Sequence, residues 1–455
     1  MTTITPDRLD RAVLKLAAVL VLGALAPLLD STIVTVAIHT LGADLGAPVS
    51  TVQWVSTAYL LALAIAIPIT GWSANRFGAK RMWIVALALF LAGSMLCGVA
   101  WNIGSLIAFR VIQGLGGGLM LPILQTLLLR AAGRDRIGRL MAVVTLPALI
   151  GPILGPVIGG LLVGHLSWRW IFYVNAPICI LAIVLAIRTL KPDPEPTRAA
   201  LDVPGLLLIS PALAGIIYGL TQVGAYGGFG HVAVLLPIGV GLVLLLAFVL
   251  RRTAEPLIDL TLFHTRSFAA STVLLFLTGF GLYGAMLLLP LFYQQARGET
   301  VTAAGLLLVP QGIGSLLARV AGGITDRLGA RPVVLVGIAL TTIGTIPFAF
   351  AGTTYVLQAI ALVVRGAGLS AVNLAVMVGA FRELEPRQIP DASSTTRIMQ
   401  QLGGAFGAAT LAVVLQNQLT DHTARTAYAY SFTWAIAFTV IAAVPAVLLP
   451  QRPGS

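Results

Sequence analysis

Gly71-Trp-Ser-Ala-Asn-Arg-Phe-Gly-Ala-Lys80 is the stretch that decides the fold, because the chain repeats it as Gly322-Gly-Ile-Thr-Asp-Arg-Leu-Gly-Ala-Arg331. The copies lie 251 positions apart and are identical at four positions, which in the first copy are Gly71, Arg76, Gly78 and Ala79. Glycine lets a backbone reverse in little space, and Arg or Lys holds a turn at an anionic membrane surface. The repeat therefore predicts a duplicated membrane protein.

The composition supports this prediction. Of 455 residues, 58% are hydrophobic and 10% are charged, whereas a soluble domain usually carries about 25% charged residues. Disordered, collagen-like and disulfide-scaffold classes are excluded by the same numbers. The net charge of +12 could indicate a nucleic-acid-binding protein, but the basic residues are sorted by loop, which is the pattern that membrane insertion produces.

Fourteen apolar segments are long enough to cross a hydrocarbon core of roughly 30 Å. They run at 14–38, 50–71, 82–101, 104–127, 138–163, 168–188, 204–222, 231–250, 268–293, 301–323, 332–351, 354–380, 394–417 and 428–449. This assignment places 22 of the 28 basic residues on the side of both termini, three on the opposite side and three inside spans. Because positive loops remain in the cytoplasm, we expect a multi-pass protein of the cytoplasmic (inner) membrane with both termini cytoplasmic.

The repeat also divides the chain. We expect an all-α polytopic membrane protein in which 12–190 and 268–449 form N-terminal and C-terminal six-helix bundles. Residues 191–267 would form a linker with two additional transmembrane helices, and 1–11 and 450–455 would be cytoplasmic ends. Parallel repeats related by an axis along the membrane normal are one known transporter architecture, with the substrate site between the halves.

The turn motif resembles the hallmark loop of the major facilitator superfamily. Other segments resemble those of its fourteen-span drug:proton antiporters, a multidrug efflux type, over essentially the whole chain. They are Leu29-Asp-Ser-Thr-Ile-Val-Thr-Val-Ala37, Phe109-Arg-Val-Ile-Gln-Gly114, Gly151-Pro-Ile-Leu-Gly-Pro-Val-Ile-Gly-Gly160, Leu289-Pro-Leu-Phe-Tyr-Gln-Gln and Gln401-Leu-Gly-Gly-Ala-Phe-Gly407. The resemblance implies the major facilitator fold, with fourteen transmembrane helices.

The same resemblance implies that the two turns gate the transport pathway. Asn75 stands where the family usually has Asp, which puts a gating ion pair of the first copy in question, whereas Asp326 keeps the charge in the second. The gating candidates are Gly71, Asn75, Arg76, Gly78, Lys80, Gly322, Asp326, Arg327, Gly329 and Arg331.

Asp30 is the acid that lies deepest in an apolar span, and Arg110 is a basic residue inside another. A charged group in a bilayer is costly and normally faces a bundle interior or a watery cavity on a proton or ion path. We expect Asp30 to couple proton movement to transport, the alternative being a structural hydrogen bond to a neighbouring helix. For Arg110 the resemblance implies proton transfer or control of the cleft charge, and the alternative is a buried arginine bonded to carbonyls or to Gln113.

The Gly-Pro segment places glycines at four-residue spacing with two prolines between them. Small residues at this spacing allow close backbone approach, and proline bends a helix. We expect an antiporter seam against which the bundles rock, or else a packing face without a mobile role. The seam candidates are Gly151, Pro152, Gly155, Pro156, Gly159 and Gly160.

Aromatic, methionine and amide side chains inside the spans are candidates for an adaptable substrate cavity, with plain core packing as the alternative for each of them. They are Gln53, Trp54, Tyr59, Met120, Gln125, Phe280, Tyr283, Gln311, Asn373, Met377 and Gln400.

These features together favour a proton-coupled secondary transporter that exports amphipathic or lipophilic drugs by alternating access. A same-fold transporter of a lipid or a specific metabolite is the alternative, and an enzyme or receptor is a weaker one. We expect no cofactor and no metal, since the sequence has no phosphate-binding loop and its five histidines are scattered singly. The expected partners are small lipophilic substrates, protons and membrane lipids, with no nucleic acid, and the expected state is a monomer.

Overall fold

The structure is a computed structural model that describes residues 11–132, 155, 158–193, 200–251, 253, 256–317, 319–350 and 352–449. Within these ranges the chain is helical, with no β-strand. Helices of the first half are α1 (Arg11–Asp44), α2 (Val49–Ala66), α3 (Thr70–Phe77), α4 (Ala79–Gly98), α5 (Ile103–Ala132), α6 (158–165), α7 (Trp170–Tyr173) and α8 (Asn175–Thr189).

The remaining helices follow a short connection. Two of them, α9 (Val203–Gln222) and α10 (Val232–Leu250), precede the second copy of the repeat. The others are α11 (Arg266–Leu291), α12 (Val301–Leu307), α13 (Val309–Leu317), α14 (Arg319–Leu328), α15 (Ala330–Thr345), α16 (Tyr355–Phe381), α17 (Ile389–Asp421), α18 (Ala424–Ile441) and α19 (Ala443–Ala446). A π-helical turn, Phe292–Ala296, continues α11, and 3-10 turns occupy Leu260–His264 and Ile346–Ala349.

In the described part of the chain, 11 helices are long and apolar enough to cross a membrane, or 12 if a bent pair counts as one span. The bent pair is Thr51–Ala66 and Thr70–Phe77, at an angle of 56°. Pro68 lies in the break, where its ring cannot continue the helical hydrogen bonds.

The two other predicted spans do not form single long helices in the described residues. The segment 301–323 is interrupted at Leu308, where α12 ends just before Pro310, and residue 318 between α13 and α14 lies outside the described residues. Most of the predicted span 138–163 lies outside the described residues, and so do the predicted ends 1–10 and 450–455. The count of fourteen therefore stays a prediction.

The helices of each half pack mainly on one another. In the first half α5 packs against α2 and α4, and α8 packs against α1 and α4. In the second half α17 packs on α11, while α16 packs on α13 and α15. The halves meet where α17 contacts α3 and α5, at the end of the molecule that carries the repeated turns.

The inserted helix α9 touches both halves, because it contacts α2 and α17. The Ser210 hydroxyl donates to the Ile65 carbonyl at 2.9 Å, and the rings of Trp54 and Tyr218 lie 5.6 Å apart. By contrast α10 packs on α9 and leaves most of its surface exposed. The insert therefore bridges the halves through one helix.

Asp202 fixes the start of this insert as the N-cap of α9. Its carboxylate accepts from the Gly205 amide at 2.9 Å, from the Leu257 amide at 3.3 Å and from the Arg251 guanidinium at 2.6 Å. Burial acts to raise the pKa of Asp202, but these hydrogen bonds and the ion pair outweigh it, so the pKa lies below its ordinary value. The carboxylate thereby joins the near ends of α9 and α10.

Candidate functional site

Asp30 and Arg110 form an ion pair in the interior of the first half. Asp30 is 0% and Arg110 1% exposed, and the guanidinium Nη1 donates to Asp30 Oδ2. Arg110 also donates from Nε to the Val55 carbonyl at 3.0 Å and from Nη1 to Gln113 Oε1 at 2.8 Å. Arg110 therefore bonds both to a carbonyl and to Gln113, the partners named as its alternative from the sequence, and in addition to the carboxylate of Asp30.

Two amide side chains complete the environment of the carboxylate. Gln113 Nε2 donates to Asp30 Oδ1 at 2.9 Å, and Asn175 Nδ2 donates to the same oxygen at 3.2 Å. Both amides also donate to the Ser94 hydroxyl, at 3.2 and 3.0 Å, and all three residues are 0% exposed. The carboxylate thus accepts one charge-assisted and two neutral hydrogen bonds, which together stabilise a buried negative charge.

The sequence analysis missed Asn175 and Ser94 and named Gln113 only as a possible partner of Arg110. Uncharged polar side chains are common in membrane helices, where they bond across interfaces. They could have been sought from the rule that a buried carboxylate in a bilayer needs several hydrogen-bond donors as well as a counter-ion. Residues on the helices packed around α1 are therefore the ones to search.

Close packing of helices holds these donors in place. A Cβ added to Gly93 on α4 would come within 2.5 Å of the Gln113 backbone nitrogen, and one added to Gly114 within 2.5 Å of the Tyr59 carbonyl. Glycines at such contacts let backbones approach. The result is a buried cluster in which α5 and α8 supply the donors to the Asp30 carboxylate, and Ser94 of α4 accepts from the two amides.

Tyr59 lies over the ion pair. The Arg110 guanidinium carbon is 4.0 Å from the Tyr59 ring centroid, so the ring face stabilises the cation. Two buried atoms beside the pair, Tyr59 Oη and Asn175 Oδ1, have no hydrogen-bond partner among the described residues. Buried polar atoms are normally satisfied by protein or water, so these two mark where a water or a proton carrier would find partners.

The first repeated turn is built around Gly78, whose φ of +93° is in the left-handed region. The Asp193 carboxylate accepts from the Lys80 and Arg81 amides at 2.8 and 3.2 Å, which caps α4. Lys80 Nζ in turn donates to the Leu190 carbonyl at 2.6 Å. The turn is thus tied to the end of α8.

Asn75 and Gly71 face other helices at the same end. Asn75 Oδ1 accepts from Arg130 Nη2 at 3.0 Å, so the amide oxygen takes a contact that an aspartate could make. A Cβ added to Gly71 would overlap the carboxylate of Asp391 on α17. Arg130 also interacts electrostatically with Asp391 and Asp193. Arg76 and Asn75 each also have another polar, ring or electrostatic contact within the chain.

The second turn has the same backbone. Gly329 has a φ of +88° and separates α14 from α15. Arg327 is exposed and Arg331 is half-buried, whereas the side chains of Gly322 and Asp326 lie outside what the structure describes.

Two of the seam glycines pack against the helix that carries Asp30. A Cβ on Gly155 would overlap the Thr32 hydroxyl and lie 3.2 Å from the Ile33 nitrogen, and one on Gly159 would lie 2.8 Å from Ile33 Cγ1. A Cβ on Gly160 would meet nothing within 4 Å. Gly151, Pro152 and Pro156 lie outside the described residues.

The predicted cavity residues fall into several environments. Tyr59 and Met120 are buried in the core, and Gln311 accepts from Arg365 at 2.7 Å. Gln53 and Trp54 are exposed, and Gln400 accepts from Arg397 at 2.9 Å. The others are buried or half-buried: Gln125, Phe280, Tyr283, Asn373 and Met377. Their placement does not by itself define a common cavity.

Comparisons with known proteins agree with this architecture. A family model described as Major Facilitator Superfamily matches residues 20–408. The Multidrug resistance protein B homolog of Mycobacterium tuberculosis is 40% identical over 421 residues, which cover 91% of this chain and 78% of that protein. Multidrug export protein EmrB of Haemophilus influenzae is 31% identical over 425 residues, which cover 90% and 83%.

Solved structures share the fold at low sequence identity. The human organic anion transporter MFSD10 (TETRAN) has a TM-score of 0.67 and 16% identity, covering 97% of this chain and 100% of that one. A double Trp mutant of XylE has a TM-score of 0.71 and 16% identity, covering 97% of each chain. At this identity the likeness concerns the fold alone.

Proposed function

This chain belongs to the Major Facilitator Superfamily and is a membrane transporter rather than an enzyme, and we propose that it is a proton-coupled exporter of amphipathic drugs. The observation that carries the proposal is the buried ion pair of Asp30 with Arg110. Two relatives are named for multidrug resistance or multidrug export. They support drugs as the substrate class.

The ion pair gives a physical route to coupling. A proton on Asp30 would neutralise the carboxylate and leave the Arg110 guanidinium, 1% exposed, without its acid. An unpaired buried charge is strongly destabilising, so proton binding would favour a conformation in which Arg110 finds other partners. Release of the proton would restore the pair and the conformation seen here.

Substrate binding enters the cycle through the same two states. A transporter couples two ligands when each binds one state better than the other, and the coupling is reciprocal. We propose that the drug binds between the halves and favours proton release, while proton binding favours drug release. The lipophilic ring and amide side chains named above suit a substrate of variable shape.

A fourteen-span topology with cytoplasmic termini is part of the same proposal. Eleven long helices, the bent pair of α2 and α3, the three-part segment α12 to α14, and the segment around 138–163 would together make fourteen spans. The basic loops support cytoplasmic termini in the inner membrane. The transporter would act as a monomer, driven by the proton gradient, without a cofactor.

The proposal is tested with purified protein in liposomes that contain a pH-sensitive dye. Ethidium, a lipophilic cation, is added to one side, and both ethidium movement and lumen pH are recorded. Wild type should move protons against ethidium, and Asp30→Asn should abolish the proton flux. Asp421→Asn removes an exposed acid and is the matched control. Equal proton flux in wild type and Asp30→Asn would contradict the coupling role.

A further inference from the structure

The second half contains a counterpart of the Asp30 cluster in which the acid is missing. Gly281 on α11 lies against Arg365, whose Nη2 donates to the Gly281 carbonyl at 3.4 Å. A Cβ on Gly344 of α15 would lie 2.5 Å from the Arg365 backbone nitrogen, as one on Gly93 would lie 2.5 Å from that of Gln113. Arg365 therefore takes the place of Gln113, which in the first half donates to Asp30.

A second pair of contacts supports the same superposition. Gly366 packs on the Gln311 carbonyl as Gly114 packs on the Tyr59 carbonyl. Gln311 thus occupies the position of the tyrosine that covers the ion pair in the first half. The counterpart cluster has a cation and an amide, but the α11 residue that Arg365 reaches is a glycine, which has no carboxylate.

Among the residues that the structure describes, Arg365 is buried with neutral partners only. It is 4% exposed, its Nη1 donates to Gln311 Oε1 at 2.7 Å, and its Nη2 donates to the Gly281 carbonyl at 3.4 Å. Within the described ranges no carboxylate lies within 4.0 Å of it. A guanidinium in a membrane interior is normally paired, so the absence of an acid is unexpected.

A narrow cavity lies beside this guanidinium. It is lined by Arg365 and Gly281, by apolar side chains of α11, α15, α16 and α18, and by the hydroxyl-bearing residues Thr278, Thr341 and Thr439. A Cβ added to Gly281 would meet only Thr439 Oγ1, at 4.0 Å, so the space of the missing side chain is open. The cavity has room for about one water-sized group.

We propose that this cavity binds a small monovalent anion of about the size of chloride, which acts as the counter-ion that Gly281 does not supply. The guanidinium that lines the cavity provides the positive charge. The three threonine hydroxyls now donate to carbonyls of their own helices, and a hydroxyl can rotate to donate to an anion instead. The volume excludes a large organic anion.

The experiment measures thermal unfolding of the purified protein in nanodiscs. Chloride is replaced stepwise by gluconate at constant ionic strength. Wild type should be stabilised by chloride to a plateau, by at least about 2 °C. Arg365→Gln and Gly281→Asp should lose the anion dependence, the second because it supplies the carboxylate within the chain.

A matched control separates this site from general salt effects. Arg425→Gln removes an exposed arginine outside the cavity and should keep the anion dependence. If Arg365→Gln fails to fold, the comparison of Gly281→Asp with Arg425→Gln still decides. No anion effect in wild type, or an equal effect in Gly281→Asp, would overturn the proposal.

Discussion

Replacing Arg110 by Met removes the counter-ion of a fully buried carboxylate and keeps the apolar length of the side chain. Removing one partner of a buried pair costs ~3–5 kcal/mol. Asp30 would retain the donors Gln113 and Asn175, so we expect the lower end of that range.

The assay is a double-mutant cycle with Arg110→Met, Asp30→Asn and their combination. Unfolding free energies are measured in mixed micelles with increasing denaturing detergent, at neutral and acidic pH. Because the double variant leaves neither charge unpaired, its loss should fall short of the summed single losses by ~1–3 kcal/mol at neutral pH. Additivity within ~0.5 kcal/mol, or no cost for Arg110→Met, would refute the proposed energetic coupling of the pair.

Three further predictions concern backbone contacts and a cap. Gly155→Leu should reduce the yield of folded protein, measured by size-exclusion chromatography, because its Cβ overlaps α1 and overpacking costs ~1–3 kcal/mol. Gly160→Leu adds its side chain in open space and should leave the yield unchanged. Equal losses of yield in the two variants would contradict this prediction. Gly78→Ala should lower the unfolding temperature more than Gly46→Ala. Both glycines have positive φ, +93° and +61°, but only a Cβ at Gly78 would meet another side chain. An equal drop in unfolding temperature would contradict the predicted effect of that contact. Asp202→Asn keeps an N-cap acceptor but removes the ion pair with Arg251, and it should cost about 1 kcal/mol at pH 7. Because the Asp202 pKa lies below its ordinary value, that stabilisation is present above about pH 4 and is lost as the pH falls through the lowered pKa. A stability difference between wild type and Asp202→Asn that does not change with pH would contradict this prediction.

The helices and turns were largely predictable because hydrophobic length and basic loops are read directly from the chain. The predicted segments 354–380 and 204–222 differ from Tyr355–Phe381 and Val203–Gln222 by one residue. The repeat also predicted two equivalent turns, and Gly78 and Gly329 both have positive φ.

Interruptions within helices were harder to predict. The pattern 301–323 is mostly apolar, and the break between α12 and α13 at Leu308, just before Pro310, depends on local backbone geometry. The start of α17 at Ile389 lies five residues before the predicted span at 394, which places Asp391 within the helix and opposite Gly71. A hydropathy window does not include such polar first turns.

The candidate site was predictable only in its charged members. Asp30 and Arg110 were named separately, and their ion pair depends on how α1 packs against α5. Asn175 is 145 residues from Asp30 in the chain, and nothing local in its sequence marks it as a donor. The identity of such neutral partners depends on tertiary packing.

The central claim is that Asp30 binds the coupled proton. Its most direct test is proton release when ethidium is added to purified protein in weakly buffered detergent solution, followed with a pH indicator. The account predicts net release by wild type and by Asp421→Asn, and none by Asp30→Asn with ethidium binding retained. Equal release by Asp30→Asn would contradict the claim.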